Sequence, residues 1–247
     1  MQAINKPSDH DRASMHDKAY LYVLNKLLSG ELRAGTPLSE ASLARELGTS
    51  RTPLREALRR LVSEGFIRQI PNRGSMVAEF SKRDVAELYE LREALESYAV
   101  GQAAEHTLRS ADLETLQKLV SEVALLRDEL SNSGAAELNA AQMKRFVHID
   151  MNFHSTLVRA AANRRILKVF ADTRLLLNIF AMRRKGHTVT LLADVHRYHS
   201  QVLDAVMRND SETARRLLGE HIRVSKQERL LEYDEWERET AINGVIP

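Results

Sequence analysis

From Ser81 to Ile246 the chain contains no proline, whereas four of its five prolines lie at or before position 71 and the fifth is the last residue. Proline inside a helix removes a donor and clashes with the preceding turn, so nothing in this stretch forbids long helices. Apolar residues recur there at helical spacing. Val85, Leu88, Leu91, Leu95, Tyr98 and Ala99 predict a helix to about His106, opened by Ser81 and Asp84 in capping-box register. Leu113, Leu116, Leu119, Val120, Val123 and Leu126 predict a second, ending near Asn132-Ser133-Gly134. Further helices are expected over 137–162, from Asn163 to about Lys185, over 191–208, and from Asp210 or Ser211 to about Glu239. The charged run Lys226–Glu239 reads as a solvated face. The expected fold class is mainly α, with an all-helical bundle of six or seven helices over 81–247.

The stretch Leu43–Gly74 has a different grammar. Leu43, Ala44 and Leu47 form a short helical pattern that runs into Gly48, a residue free to take the positive φ of a tight turn. Ser50 or Thr52 can cap a new helix, and Pro53 suits its first turn. In that helix Leu54, Leu58, Leu61 and Val62 mark a buried stripe, while Arg51, Arg55 and Arg59 stand four apart on another face, with Arg60 beside them. Next, Phe66–Ile70 and Ser75–Glu79 flank Pro71-Asn72-Arg73-Gly74 and predict a β-hairpin. Two helices joined by a tight turn and followed by a hairpin read as a winged helix-turn-helix, whose second helix enters the DNA major groove. Arginine suits that position because its fork pairs with guanine edges or grips phosphate. The hairpin places Arg73 and Gly74 near a phosphate or the minor groove. A solvated basic face is the plainer reading of the same charges. Upstream, residues 1–14 are polar and read as a loose arm; Ala19, Tyr22, Val23, Lys26 and Leu27 predict a helix over 15–29, and Ser39 a further N-cap. The domains expected are therefore an arm over 1–14, a winged domain over 15–80 and a helical domain over 81–247.

The order SRTPLREALRRLVSEGFI followed by NRG resembles the winged helix of GntR-type bacterial transcription regulators, and LLSGELRAGTPLSEASLARELG extends the resemblance upstream. It implies that Arg51 and Arg55, with neighbouring Arg45, Ser50, Thr52, Pro53 and Arg59, contact operator DNA. Ala41 departs from the pattern, standing where some relatives carry a basic residue.

Composition excludes several classes. There is no cysteine, hence no disulfide framework or thiolate metal site. No apolar run reaches the length of a membrane span, no signal-peptide core is evident, and the cytoplasm is the expected compartment. The net charge of +2 is too small to imply nucleic acid by itself; the placement of the arginines carries that argument.

Asp150 and His154 lie four apart and share a helix face. His199 borders the apolar stripe of Val202, Leu203 and Val206, and His221 lies beside Leu217 and Leu218. Helices of one bundle can thus project one Asp and three His inward, a donor set suited to Zn, Ni, Mn or Fe(II). A surface pair with two core histidines fits the periodicity equally well. The region with DMNFH, YHSQVLDAV and EHI resembles the FCD-type ligand-binding domain of the FadR subfamily. The resemblance implies that Asp150, His154, His199 and His221 are metal ligands. His148 and His196 are competitors that suit places behind the ligands or at the surface; His196 lies one turn before His199 and can line the same cavity. His10, His16, His106 and His187 fall in polar ends or loops and are expected in solvent. Arg92 borders a buried stripe and either pairs with Glu96 or awaits an anion, since unpaired buried charge is costly. In the resembled subfamily an arginine of this helix commonly holds the effector carboxylate. Arg174 and Asn178 interrupt an apolar run as core-edge or ligand-contacting residues.

Three functions remain on these readings. One is a dimeric regulator whose affinity for a palindromic operator changes when a small carboxylic acid binds at the metal, with Arg92, Asn178 and His196 around it; repression relieved by ligand is the resembled family's commoner mode. Another is a regulator for which the metal itself is the signal. The third, a metal-dependent hydrolase, lacks an HExxH motif and an obvious general-base Glu beside the proposed ligands.

Overall fold

The computed structural model describes residues 9–71, 74–106, 108–180 and 186–242. The chain divides into two compact units, changing over between Ser81 and Lys82.

The first unit contains α1 (Asp9–Ser29), β1 (Pro37–Leu38), α2 (Glu40–Leu47), α3 (Arg51–Ser63), β2 (Ile67–Ile70) and β3 (Gly74–Val77). Ser39 caps α2 by accepting from the Ser42 amide at 3.2 Å, and Gly48 ends it with φ 69°. Ser50 occupies the backbone N-cap position of α3, but its side chain makes no capping bond. Leu54, Ala57, Leu58 and Leu61 are the buried face of α3, so Ala57 stands where Val62 was expected. They pack toward Ala19, Val23 and Leu27 of α1, all fully buried. The expected arm over 1–14 is helical from Asp9, where α1 begins, and its residues 1–8 lie outside the described residues; polar residues of ordinary helix propensity extend a packed helix without an apolar period of their own. The hairpin pairs Ile67 with Val77 and Ile70 with Gly74, and a short strand unforeseen in the sequence, β1, joins the other edge of β3. Two residues are too few to leave a periodic signal.

The second unit contains α4 (Lys82–Glu105), α5 (Ser110–Ser133), α6 (Ala140–Ala160), α7 (Arg164–Phe180), α8 (Val189–Met207) and α9 (Ser211–Ile242). Six helices are thus seen among the described residues. Side chains fix their starts. Asn139 and Gln142 form a capping box on α6, Asn163 accepts from the Arg165 and Ile166 amides at 3.1 Å, and Asp210 accepts from the Thr213 amide at 3.0 Å. Leu126, Leu130, Leu138, Phe146 and Leu192 form one core cluster, and Ala99, Val158 and Phe170 another. No helix among the described residues is long and apolar enough to cross a membrane.

One helix is rotated from its expected face. Leu91 and Tyr98 of α4 are exposed, while Val85, Tyr89, Arg92, Glu96 and Ala99 are buried. The apolar count is misleading here because two charged residues sit at the centre of the inner face.

Gly48 has open space around a built Cβ, so its replacement costs backbone strain alone. Gly48→Ala is expected to destabilise the first unit by about 1 kcal/mol. Hydrogen exchange checks this: α2 and α3 amides are expected to exchange roughly fivefold faster, and unchanged protection contradicts it.

Candidate functional site

In the first unit the outward side of α3 presents Arg51, Thr52, Arg55 and Arg59 in solvent; Arg45 and Ser50 are also exposed and Pro53 is half-buried. Among the described residues Arg45 and Arg51 have no ion pair. Arg55 donates from Nε and Nη2 to Glu40 of α2, at 3.2 and 3.0 Å. Arg59 lies 3.4 Å from Glu56. Exposed pairs of this kind contribute about 0–1 kcal/mol, so a phosphate or base edge competes with them easily. Arg60 turns away from this face: it donates to Glu64 at 3.0 Å and stacks 3.9 Å from the Tyr20 ring centroid, fastening α3 to α1. Gly74 opens β3 in solvent with φ 82°. Arg73 lies outside the described residues.

The second unit gathers Asp150 and His154 of α6, His199 of α8 and His221 of α9, with one donor atom from each lying within 4.8 Å of the others. The three histidines are buried and Asp150 nearly so. His199 Nε2 is 3.2 Å from His221 Nε2; Asp150 Oδ1 is 3.4 Å from His154 Nε2 and 3.7 Å from His199 Nε2. Metal–nitrogen bonds are about 2.1 Å, so two ligands of one ion stand at most about 4.2 Å apart. The widest pair of the cluster needs to close by no more than about 0.6 Å on that basis. The donor set fits a divalent transition metal.

Two further elements hold the cluster. Glu96 of α4, fully buried, faces His154 Nδ1, which leaves His154 Nε2 directed at the other donors; carboxylates behind ligating histidines act in this way. Arg92 donates from Nε to the other Glu96 oxygen at 2.5 Å, and its Nη2 lies 3.2 Å from His154 Nε2. Arg174 of α7, also buried, donates to Asp150 Oδ2 at 2.6 Å. Phe153 stacks on His199 with centroids 3.9 Å apart and planes 6° from parallel, fixing that ring. The two readings of Arg92 are therefore not exclusive, since it pairs with Glu96 and reaches the cluster. A Glu does stand beside the ligands, contrary to the sequence expectation, because Glu96 comes from a helix more than fifty residues away and no local spacing announces it.

Burial disfavours ionisation of Glu96, but Arg92, His154 and Arg174 outweigh it and hold the carboxyl at about 2. Burial likewise opposes the Asp150 charge, and Arg174, His154 and Arg92 overcome it, keeping that carboxyl well below the usual range. Burial, then His154 and the two arginines, lowers His199 to about 3. Burial, then His199 and His154, holds His221 well below its ordinary value. Both rings are neutral near pH 7, the state in which imidazole ligates.

A small cavity, open to solvent, adjoins the cluster and is lined by Arg92, Asp150 and His221. Tyr89, Phe146, Leu191 and Val195 supply its walls, and Ser225, Glu228, Arg229 and Glu232 continue it along α9. His187 also lines it, half-buried and edge-on to Phe146 at 4.5 Å between centroids, rather than standing in solvent as expected. A loop residue just before a helix reads as exposed in sequence, but the backbone bond from Leu138 to the His187 carbonyl (3.0 Å) draws this segment inward. His196 is not brought to the cluster: it is half-buried beside Arg127 and Asp128 of α5. Asn178 is half-buried near the end of α7 and is not among the residues lining the cavity. His148 is exposed and bonded to Asn152. His106 is exposed and His16 half-buried; nothing is described of the His10 side chain.

Residues 87–224 match the FCD domain and residues 16–77 match the bacterial regulatory proteins of the gntR family. The chain is 32% identical over 206 residues, 83% of its length and 80% of the relative's, to an uncharacterized HTH-type transcriptional regulator in an unstable DNA locus of Streptomyces ambofaciens. It is 27% identical over 186 residues to the gluconate operon transcriptional repressor of Bacillus subtilis, covering 72% of this chain and 71% of that one. In fold it is similar to McbR/YncC of E. coli, with a TM-score of 0.68 and 23% identity over 90% of this chain and 98% of the other.

The neutral histidines make the metal-free chain sensitive to mild acid. Once unfolded, His199 and His221 take up protons near pH 6.5, whereas folded His199 does so only near 3. The unfolded state therefore binds more protons between these values, and stability falls as pH falls. Melting temperature is expected to drop from pH 6.5 to 5, above the range of ordinary carboxylates, with the raised Glu228 carboxyl offsetting about half of the effect of the two histidines. A flat profile across that interval contradicts the placement of these rings.

Proposed function

Because the chain belongs to the GntR family of DNA-binding transcription regulators and carries an FCD domain, we propose that its operator affinity is set by a small carboxylic acid bound beside a metal at Asp150, His154, His199 and His221. The observation that carries this reading is the opening of the buried Asp/His cluster into a cavity that also holds Arg92. Charge supplies the reason for an acid. Arg92 and Arg174 balance Glu96 and Asp150, and the imidazoles of His199 and His221 are neutral. A divalent cation adds positive charge to that balance, and an anion neutralises it. The metal supplies a Lewis-acidic partner for the acid's oxygens. Arg92 orients the carboxylate by a charge-assisted hydrogen bond, while Glu96 holds His154 in the tautomer that points Nε2 at the ion.

In the first unit Arg51 and Arg55, flanked by Arg45, Ser50, Thr52 and Arg59, read operator DNA, and Gly74 lets the hairpin approach the backbone. A homodimer on a two-fold operator presents two such helices. Ligand controls the operator by binding two arrangements of the dimer with different affinity. Repression is the mode supported by the relative that represses the gluconate operon. The cavity favours an acid effector over a reading in which the metal alone is the signal, since a sensor of metal needs no adjoining space.

The test is a gel-shift titration against the DNA upstream of the chain's own coding region. Arg51→Ala with Arg55→Ala is expected to weaken binding by about a hundredfold or more. Small organic acids are expected to change wild-type affinity only with metal present, and metal alone to leave it unchanged. Undiminished binding by the double variant removes the recognition-helix assignment. A response to metal without any acid removes the effector reading.

A further inference from the structure

Along α9, His221, Ser225, Glu228 and Glu232 recur at three- and four-residue intervals and face one cavity. The His221 end, with Arg92, suits a carboxylate. The other end is built differently. Glu228 lines the cavity half-buried and has no hydrogen-bond or ion-pair partner among the described residues. Its neighbour Arg229 is engaged by Glu232. Asp194 of α8, which also faces it, is engaged by Arg197 at 2.9 Å. Burial, then the charges of Glu232 and Asp194, pushes the Glu228 carboxyl up to about 7 against the pull of Arg229. A half-buried carboxyl beside two other acids, with no donor of the chain on it, is left open to a donor from a ligand in the cavity.

We infer that the cavity takes a two-ended ligand, with a carboxylate at the Arg92–His221 end and a hydrogen-bond donor, an amino or hydroxyl group, seated on Glu228. This rests on the carboxylate reading above and adds what lies at the other end. Helix geometry sets the length. Seven residues from His221 to Glu228 rise about 10 Å, and both side chains lean toward the N-terminus of the helix, so their separation is kept. A contact of about 2–3 Å at each end leaves roughly 4–5 Å between the ligand's carboxylate oxygen and its terminal donor atom. A four-carbon acid with a terminal donor covers that span with one gauche turn in its chain.

The experiment is isothermal titration of the zinc-loaded full chain with butanoate, 4-hydroxybutanoate and 4-aminobutanoate. The two donor-bearing acids are expected to bind wild type on the order of tenfold more tightly than butanoate. Glu228→Met, which keeps bulk and removes the acceptor, is expected to erase that gain and leave butanoate unchanged. Glu228→Gln separates the two donors, because its carbonyl still accepts from a hydroxyl but no longer attracts an ammonium. If butanoate binds wild type and the donor acids gain nothing, or the gain survives Glu228→Met, the inference is overturned and the carboxylate reading stands. If none of the three binds while zinc is retained, the carboxylate reading falls and takes the inference with it.

Discussion

Two arginines and two carboxylates share the interior of a helical bundle, and the rest of the second unit is arranged to make that possible. An ionised group taken out of water alone costs several kcal/mol, so each has to meet its opposite with good geometry. Arg92 meets Glu96 within α4, and Arg174 of α7 meets Asp150 of α6. The second pair ties α7 to α6, and His154 of α6 ties in α4 by facing Glu96 on one side, with Asp150 on the other. With the charges closed in this way, α8 and α9 can bring in His199 and His221 as neutral rings, each with a ring nitrogen within 4.8 Å of the other donors. Removing one member leaves another buried without its partner, which is more damaging than the loss of a surface pair.

Much of this was legible in the sequence, and the failures have physical causes. Spacing puts Asp150 and His154 on one helix face and His199 beside an apolar stripe. It left a surface pair with core histidines equally open, and only the resemblance to the FCD-type domain selected these residues with His221. The caps at Ser39, Asn163 and Asp210 are local chemistry and were readable as such. The face of α4 was not, since apolar periodicity assumes that charged residues point outward. Here Arg92 and Glu96 point inward because each has the other, and Leu91 and Tyr98 are left in solvent. Glu96 behind His154, and Arg174 on Asp150, are long-range contacts that no spacing rule contains. His187 was misplaced for a related reason, being a loop residue drawn inward by a backbone bond to Leu138.

In the first unit the same principle works in reverse. Arg51 and Arg55 remain on the outside, and the pair Arg55 makes with Glu40 is weak enough in water to be exchanged for a phosphate. Arg60, one position beyond Arg59, points the other way and braces α1 through the Tyr20 ring. Neighbouring arginines of one helix therefore divide between an outward face and packing according to the face on which the helical period places them. On the proposed reading, regulation requires only that an acid at the buried site favour one dimer arrangement over another, and the energy available is its difference in affinity for the two.

The central claim is that the Asp/His cluster is a metal centre, and X-ray absorption at the metal edge of the full chain purified from its own host tests it most directly. About one divalent transition-metal ion per chain is expected, with a shell containing three imidazoles at about 2.1 Å and a carboxylate oxygen. A metal bound without imidazole scattering, or a chain that carries none and takes up none on titration, would contradict the account.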